Sequence, residues 1–286
     1  MALRFLIIDG YTKPARDKLR EARMRLAWEL YRDMLTTVLP DAEYDVLLPQ
    51  DDDSELQREL SDYDGILWTG TSSTIYHTDD AAVMRMRKIG VDGFASGTPA
   101  FGTCWGLQMA AVAAGGKVAK NPRGREMGIA RKIKLTSEGV EHPFMADKPA
   151  VFDAFISHYD EVVEVPEGGT VLAGNDFTGI QAMAVEHNGG TFWAVQYHPE
   201  YDLNEMARLT VARTQRLLNE NFASDKAEID DLVAKMEALA KEPQRKDLRW
   251  QLAIDDDVLD ADVRQVEFRN YIEKLVKPIA ARRGRS

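Results

Sequence analysis

The one cysteine of this chain, Cys104, stands between two glycines in the stretch FGTCWGLQ, Phe101 to Gln108. Glycine two residues before and two residues after a nucleophilic side chain is the pattern of a strand that turns sharply into a helix. At such a turn the backbones of strand and helix come close, and Gly102 and Gly106 remove the side chains that would collide. The nucleophile then projects from a strained position. The unpaired N–H groups at the helix start favour a thiolate and a developing oxyanion. The chemistry offered is attack by sulfur on a carbonyl carbon. On this pattern alone, a buried cysteine in a glycine-containing turn is the competing reading.

A nucleophilic cysteine works with a base. Five histidines are present: His77, His142, His158, His187 and His198. His77 falls in a polar loop, His142 in a turn (EHPF) and His187 in a hairpin (EHNGG), so these three read as surface residues. His198 ends an apolar strand, FWAVQYHPEYD. Active sites on α/β sheets gather at the carboxyl ends of strands. Pro199 holds His198 in extended backbone. Glu200, two residues on, is placed to accept from the imidazole and fix its tautomer, completing a nucleophile, base and orienter set.

The elements that must hold these groups alternate. Leu3–Ile8 reads as a buried strand. Thr12–Val38 reads as mostly helical, with Leu26, Leu30, Met34 and Val38 on one face. Tyr44–Leu48 and Gly65–Trp68 read as strands, and Ser54 as the cap of a short helix, SELQREL. Thr78 is read as the cap of a helix reaching about Ile89. Thr98–Gly102 and Trp105–Ala114 follow as strand and helix. This alternation predicts an α/β fold with a mainly parallel central sheet flanked by helices. From Ile129 the segments become short and strand-like (IARKIKL, AVFDAFI, EVVEV, TVLAG, QAMAVEH, TFWAVQY), which predicts a smaller antiparallel portion. A helix is expected from near Asn204 to about Asn221.

Residues 1–222 are thus expected to form the main domain. Residues 223–286 read as a C-terminal helical extension, broken by Pro243 and the acidic run Asp255–Asp257. Its helices are expected to cover the main domain or to make a homo-oligomer interface, and ARRGRS to be a solvated, frayed tail.

Composition narrows the classes. The 286 residues carry 47 acidic and 36 basic side chains, a formal charge of −11, which argues against broad binding of nucleic acid or anionic membrane. A single cysteine excludes an intrachain disulfide. The short apolar start, MALRFLIIDG, lacks the longer core of a signal peptide, and no apolar run is long enough for a membrane span. The expected location is cytoplasmic.

Together, GTCWGLQ and QYHPE resemble the class I, or triad, glutamine amidotransferases. The layout is most similar to the glutaminase domain of GMP synthetases and its free-standing relatives. The resemblance covers roughly Leu3 to Asn221 and includes GGKV, REMG at Arg125 to Gly128, and SHYDEV at Ser157 to Val162. It implies a flavodoxin-like fold, with Cys104 as nucleophile, His198 as base and Glu200 as orienter. It implies the N–H groups of Trp105 and Gly70 as the oxyanion hole, and Gln108, Ser157 and His158 as substrate contacts. On the residues alone, Gln108 is a solvated helix position and His158 a packed or surface histidine. The family's loop after the third strand commonly carries paired glycines and a proline. Here it is WTGTSS, and Gly70 is what remains.

The implied reaction is hydrolysis of the glutamine side-chain amide through a γ-glutamyl thioester on Cys104, with neither metal nor organic cofactor. No Walker-type loop and no synthetase-sized second domain are present in the sequence. The leading expectation is therefore a free-standing glutaminase whose ammonia passes to a separate synthetase subunit. The second is a stand-alone γ-glutamyl peptidase or hydrolase acting on another γ-glutamyl compound. The third is a non-catalytic regulatory protein on the same scaffold.

Overall fold

The computed structural model describes residues 2–285. Its strands are β1 Arg4–Ile8, β2 Glu43–Leu47, β3 Gly65–Trp68, β4 Ala100–Thr103, β5 Lys117–Lys120, β6 Glu126–Leu135, β7 Val151–His158, β8 Asp160–Glu164, β9 Gly169–Gly174, β10 Ala182–His187 and β11 Gly190–Val195. Nine of them form one sheet in the order β2-β1-β3-β4-β11-β10-β9-β6-β7, and β5 pairs with β8 in a separate ribbon. The strands from β2 to β11 in that order run parallel, and β10, β9, β6 and β7 continue the sheet antiparallel. The expected α/β architecture and its antiparallel part are both present.

Alternation along the central strands divides the core. Phe5 and Ile7 of β1 enter one apolar cluster with Tyr31, Phe101 and Trp193, while Leu6 and Ile8 enter another with Trp68, Phe94 and Trp105. Residues 223–285 take part in this packing. Phe268, Tyr271, Ile272 and Val276 lie in the first cluster. Ile229, Val233 and Met236 pack with Met206 and Leu209 of the helix Leu203–Ala212 in a third. Lys148 and Glu267 form a buried ion pair, 2.7 Å apart, between the two parts.

Several local expectations are corrected. Thr12–Val38 is two helices, Lys13–Glu21 and Ala27–Val38, because Arg23 takes a left-handed turn at φ 61° and Leu26 is extended. SELQREL is not a helix: the Ser54 hydroxyl accepts from the N–H of Leu48 at 2.9 Å, and only Leu60–Asp62 makes a helical turn. Asp80, not Thr78, caps the next helix, which runs from Ala81 to Ala95. The C-terminal tail is anchored at Arg283, which donates to the carbonyls of Tyr63 and Gly97, and at Arg285, which donates to that of Asp62 at 3.0 Å. Ser286 lies outside the described residues. Among the described residues no helix is long and apolar enough to cross a membrane.

Candidate active site

Register brings the ends of the parallel strands level. Ile8 lies beside Trp68, Trp68 beside Gly102, and Val195 beside Thr103. The segments that leave these ends, at Gly70, Cys104 and His198, therefore meet along one edge of the sheet.

Cys104 sits at φ 54°, ψ −102°, in the turn between β4 and the helix Trp105–Ala113. A non-glycine residue at positive φ is uncommon and costs free energy, and the surrounding structure must hold it there. Here the N–H of Cys104 donates to the carbonyl of Val195 at 2.8 Å. Both flanking glycines are required. A Cβ on Gly102 would stand 2.8 Å from the Cα of Gly106, and one on Gly106 would stand 2.9 Å from the carbonyl oxygen of Trp68. Cys104 is buried, 7% exposed, and its sulfur lies 3.7 Å from the carbonyl oxygen of Ser157.

His198 and Glu200 lie together, with Nδ1 2.7 Å from Oε1 of the carboxylate. Burial opposes a charge on His198, but Glu200 and Cys104 outweigh it and push the imidazole up to about 9. The ring stacks on Tyr201 with centroids 4.2 Å apart and planes within 2°. The N–H of His198 donates to the carbonyl of Phe155 at 2.8 Å. Glu200 Oε1 also accepts from the Thr103 hydroxyl at 3.1 Å, and Tyr31 Oη lies 2.9 Å from that hydroxyl and 2.8 Å from the Trp68 carbonyl. Thr103 and Tyr31 are silent in the sequence, because the bond from Thr103 to Glu200 and the bond from Tyr31 to Thr103 span long stretches of chain.

Gly70 backs directly onto these groups. A Cβ there would lie 3.2 Å from His198 Cε1 and 3.9 Å from Cys104 sulfur. The departure in WTGTSS is met by hydroxyl ties: Thr71 Oγ1 donates to the carbonyl of Gly10 at 2.6 Å, and Thr69 Oγ1 to that of Gly70 at 2.8 Å. Trp105 opens its helix, so its N–H has no intrahelical acceptor.

Of the three expected substrate contacts, Ser157 lies at the cysteine. Gln108 is not solvated but 3% exposed, and its Nε2 donates to the carbonyl of Asp160 at 3.0 Å. His158 Nδ1 donates to the same carbonyl at 2.9 Å, while Nε2 lies 2.9 Å from Glu126 Oε2. Both ring nitrogens of His158 are thus engaged inside the protein. Burial would raise Glu126, but bonds from His158, Asn175 and Thr178 outweigh it and hold the carboxyl below its ordinary range. Of the histidines expected at the surface, His142 is half-buried edge-on to Trp193, and His187 lies edge-on to Phe94.

A cysteine held at positive φ at a strand–helix elbow, with a histidine–glutamate pair nearby, is an arrangement that can support acyl chemistry. The chain belongs to the class I glutamine amidotransferase family, whose model matches residues 31–214. A γ-glutamyl-L-1-hydroxyisopropylamide hydrolase from a Pseudomonas species is 30% identical over 284 residues, covering 98% of this chain and 96% of that protein. A GMP synthase from Azoarcus is 33% identical over 140 residues, but these are 48% of this chain and only 25% of that enzyme. A glutamine amidotransferase from Thermotoga maritima shares the fold, with a TM-score of 0.65 at 17% identity over 97% of this chain and 99% of that one.

Proposed function

We propose that the protein is a cysteine hydrolase of γ-glutamyl amides. Cys104 thiolate attacks the γ-carbonyl carbon, and the N–H groups of Trp105 and Gly70 receive the oxyanion. His198, as imidazolium held by Glu200, gives its proton to the nitrogen as the C–N bond breaks and the amine leaves. A γ-glutamyl thioester remains on Cys104. His198 then takes a proton from water, hydroxide adds to the thioester, and glutamate departs as the thiolate is restored.

The observation that carries this reading is the end-to-end match to a γ-glutamyl amide hydrolase, C-terminal segment included. This match supports placing the second expectation from sequence ahead of the first. The second reading, a glutaminase passing ammonia to a synthetase subunit, draws support from the partial GMP synthase matches. The test is amine release by the purified chain alone, from γ-glutamyl alkylamides and from L-glutamine. The proposal expects turnover of alkylamides at a kcat/KM at least ~10-fold above that of glutamine, a preference worth about 1.4 kcal/mol. Glutamine turnover that dominates, and rises only with an added synthetase, supports the second reading instead.

A further inference from the structure

Arg213 directly follows the helix Leu203–Ala212, and a cation there commonly serves the helix's own last carbonyls. Here the backbone N–H of Arg213 meets the carbonyls of Leu209, Thr210 and Val211. The side chain goes elsewhere: Nη1 donates to the hydroxyl of Ser157. Among the described residues Arg213 makes no ion pair, and the residue is partly exposed. A guanidinium has five N–H donors, so most of its capacity is uncommitted.

Ser157 bridges this cation to the cysteine. Its hydroxyl accepts from Arg213 and its carbonyl oxygen lies 3.7 Å from Cys104 sulfur. The guanidinium and the sulfur are therefore separated by the width of one serine and its two contacts. In a γ-glutamyl group, four carbon–carbon bonds of ~1.5 Å separate the attacked carbon from the α-carboxylate carbon, a span of about 5 Å when extended. The buried phenols of Tyr11 and Tyr201 also lie where they feel both the Arg213 charge and Cys104. The nearby acids are already matched: Glu200 to His198, and Glu220 to Arg125 at 2.6 Å. Arg216, whose charge is disfavoured by burial first and then by Arg125 and Arg213, adds to the positive field.

We infer that Arg213 is the receptor for the free α-carboxylate of the γ-glutamyl group, binding it as a charge-assisted and preferably bidentate pair. The inference rests on the reading of Cys104 as the γ-glutamyl nucleophile. It assigns the substrate class as compounds with an unmodified glutamate α-carboxylate, whatever the amine.

Calorimetric binding of L-glutamate, and of the same molecule with its α-carboxylate as a primary amide, tests the receptor without needing turnover. Wild type, Arg213→Lys and Arg213→Met are compared, with circular dichroism confirming that each is folded. The expected result is a ~10–100-fold loss of glutamate affinity in Arg213→Met, little change for the amide, and an intermediate loss in Arg213→Lys. Glutamate affinity in Arg213→Met within twofold of wild type overturns the inference, as does a wild type that binds the amide as well as the acid. Binding that depends on Arg213, in a protein that hydrolyses no γ-glutamyl amide, keeps the receptor and removes the catalytic reading.

Discussion

Arg264 donates from Nε to the carbonyl of Pro199 at 3.3 Å, placing the C-terminal segment against the residue between His198 and Glu200. Gln265 Nε2 donates to the same oxygen at 3.3 Å. Arg264 is itself anchored through Nη1 to the carbonyl of Val258 at 2.6 Å. Substituting Arg264→Met with Gln265→Leu is expected to lower kcat, with KM for a γ-glutamyl amide changed less than twofold. The loop would lose both ties while the substrate contacts remain. Steady-state kinetics separate the two parameters, and a change confined to KM would contradict this role.

The same segment carries a stability prediction. Lys148 and Glu267 are buried with side chains 2% and 0% exposed, so removing one partner strands a charge. Lys148→Met is expected to cost about 3–5 kcal/mol in urea unfolding, while the double change Lys148→Met, Glu267→Leu recovers most of that loss. A single variant as stable as wild type would sink this account.

Glu200→Gln keeps the shape of the pair and removes the charge. His198 stands raised to about 9 from an ordinary 6.5, so the imidazolium needed to protonate the leaving amine persists up to about pH 9. The alkaline limb of kcat/KM is expected near that pH in wild type and lower in Glu200→Gln. The rate should fall by up to ~10⁴-fold, as for loss of the orienting carboxylate in other triads. Linkage has a matching sign: a base raised by folding adds stability below about 6.5 that is lost as pH rises through about 9. A pH–rate profile with an unmoved alkaline limb would contradict the assignment of His198 as acid.

Gly102→Ala forces a Cβ to within 2.8 Å of the Gly106 backbone, with no flexible side chain there to yield. A cost of about 1–3 kcal/mol is expected from overpacking, together with loss of amide hydrolysis as the elbow shifts. Thermal unfolding and activity should fall together; full activity would show that the elbow tolerates widening.

The elbow and the histidine–glutamate pair were legible because each is local: two glycines around Cys104, and a proline between His198 and Glu200. The parallel core was legible because apolar runs alternate with helical periodicity. Local reasoning failed where distant chain claims a group. Ser54 reads as a helix cap, yet its hydroxyl serves Leu48. His158 reads on the residues alone as a packed or surface histidine, and its partners Glu126 and Asp160 appear only in the assembled fold. Arg283 and Arg285 look like a frayed tail, but backbone carbonyls more than 180 residues earlier accept from them. Thr103, Tyr31 and Arg213 carry no motif, and their contacts exist only once the sheet edge is assembled.

The central claim is that Cys104 carries the γ-glutamyl group. Mass spectrometry of the protein quenched during turnover of a γ-glutamyl alkylamide tests it directly. The account predicts a γ-glutamyl adduct on the peptide containing Cys104, absent from a folded Cys104→Ala variant that has also lost amide hydrolysis. Undiminished hydrolysis by Cys104→Ala, or an adduct on any other residue, would contradict it.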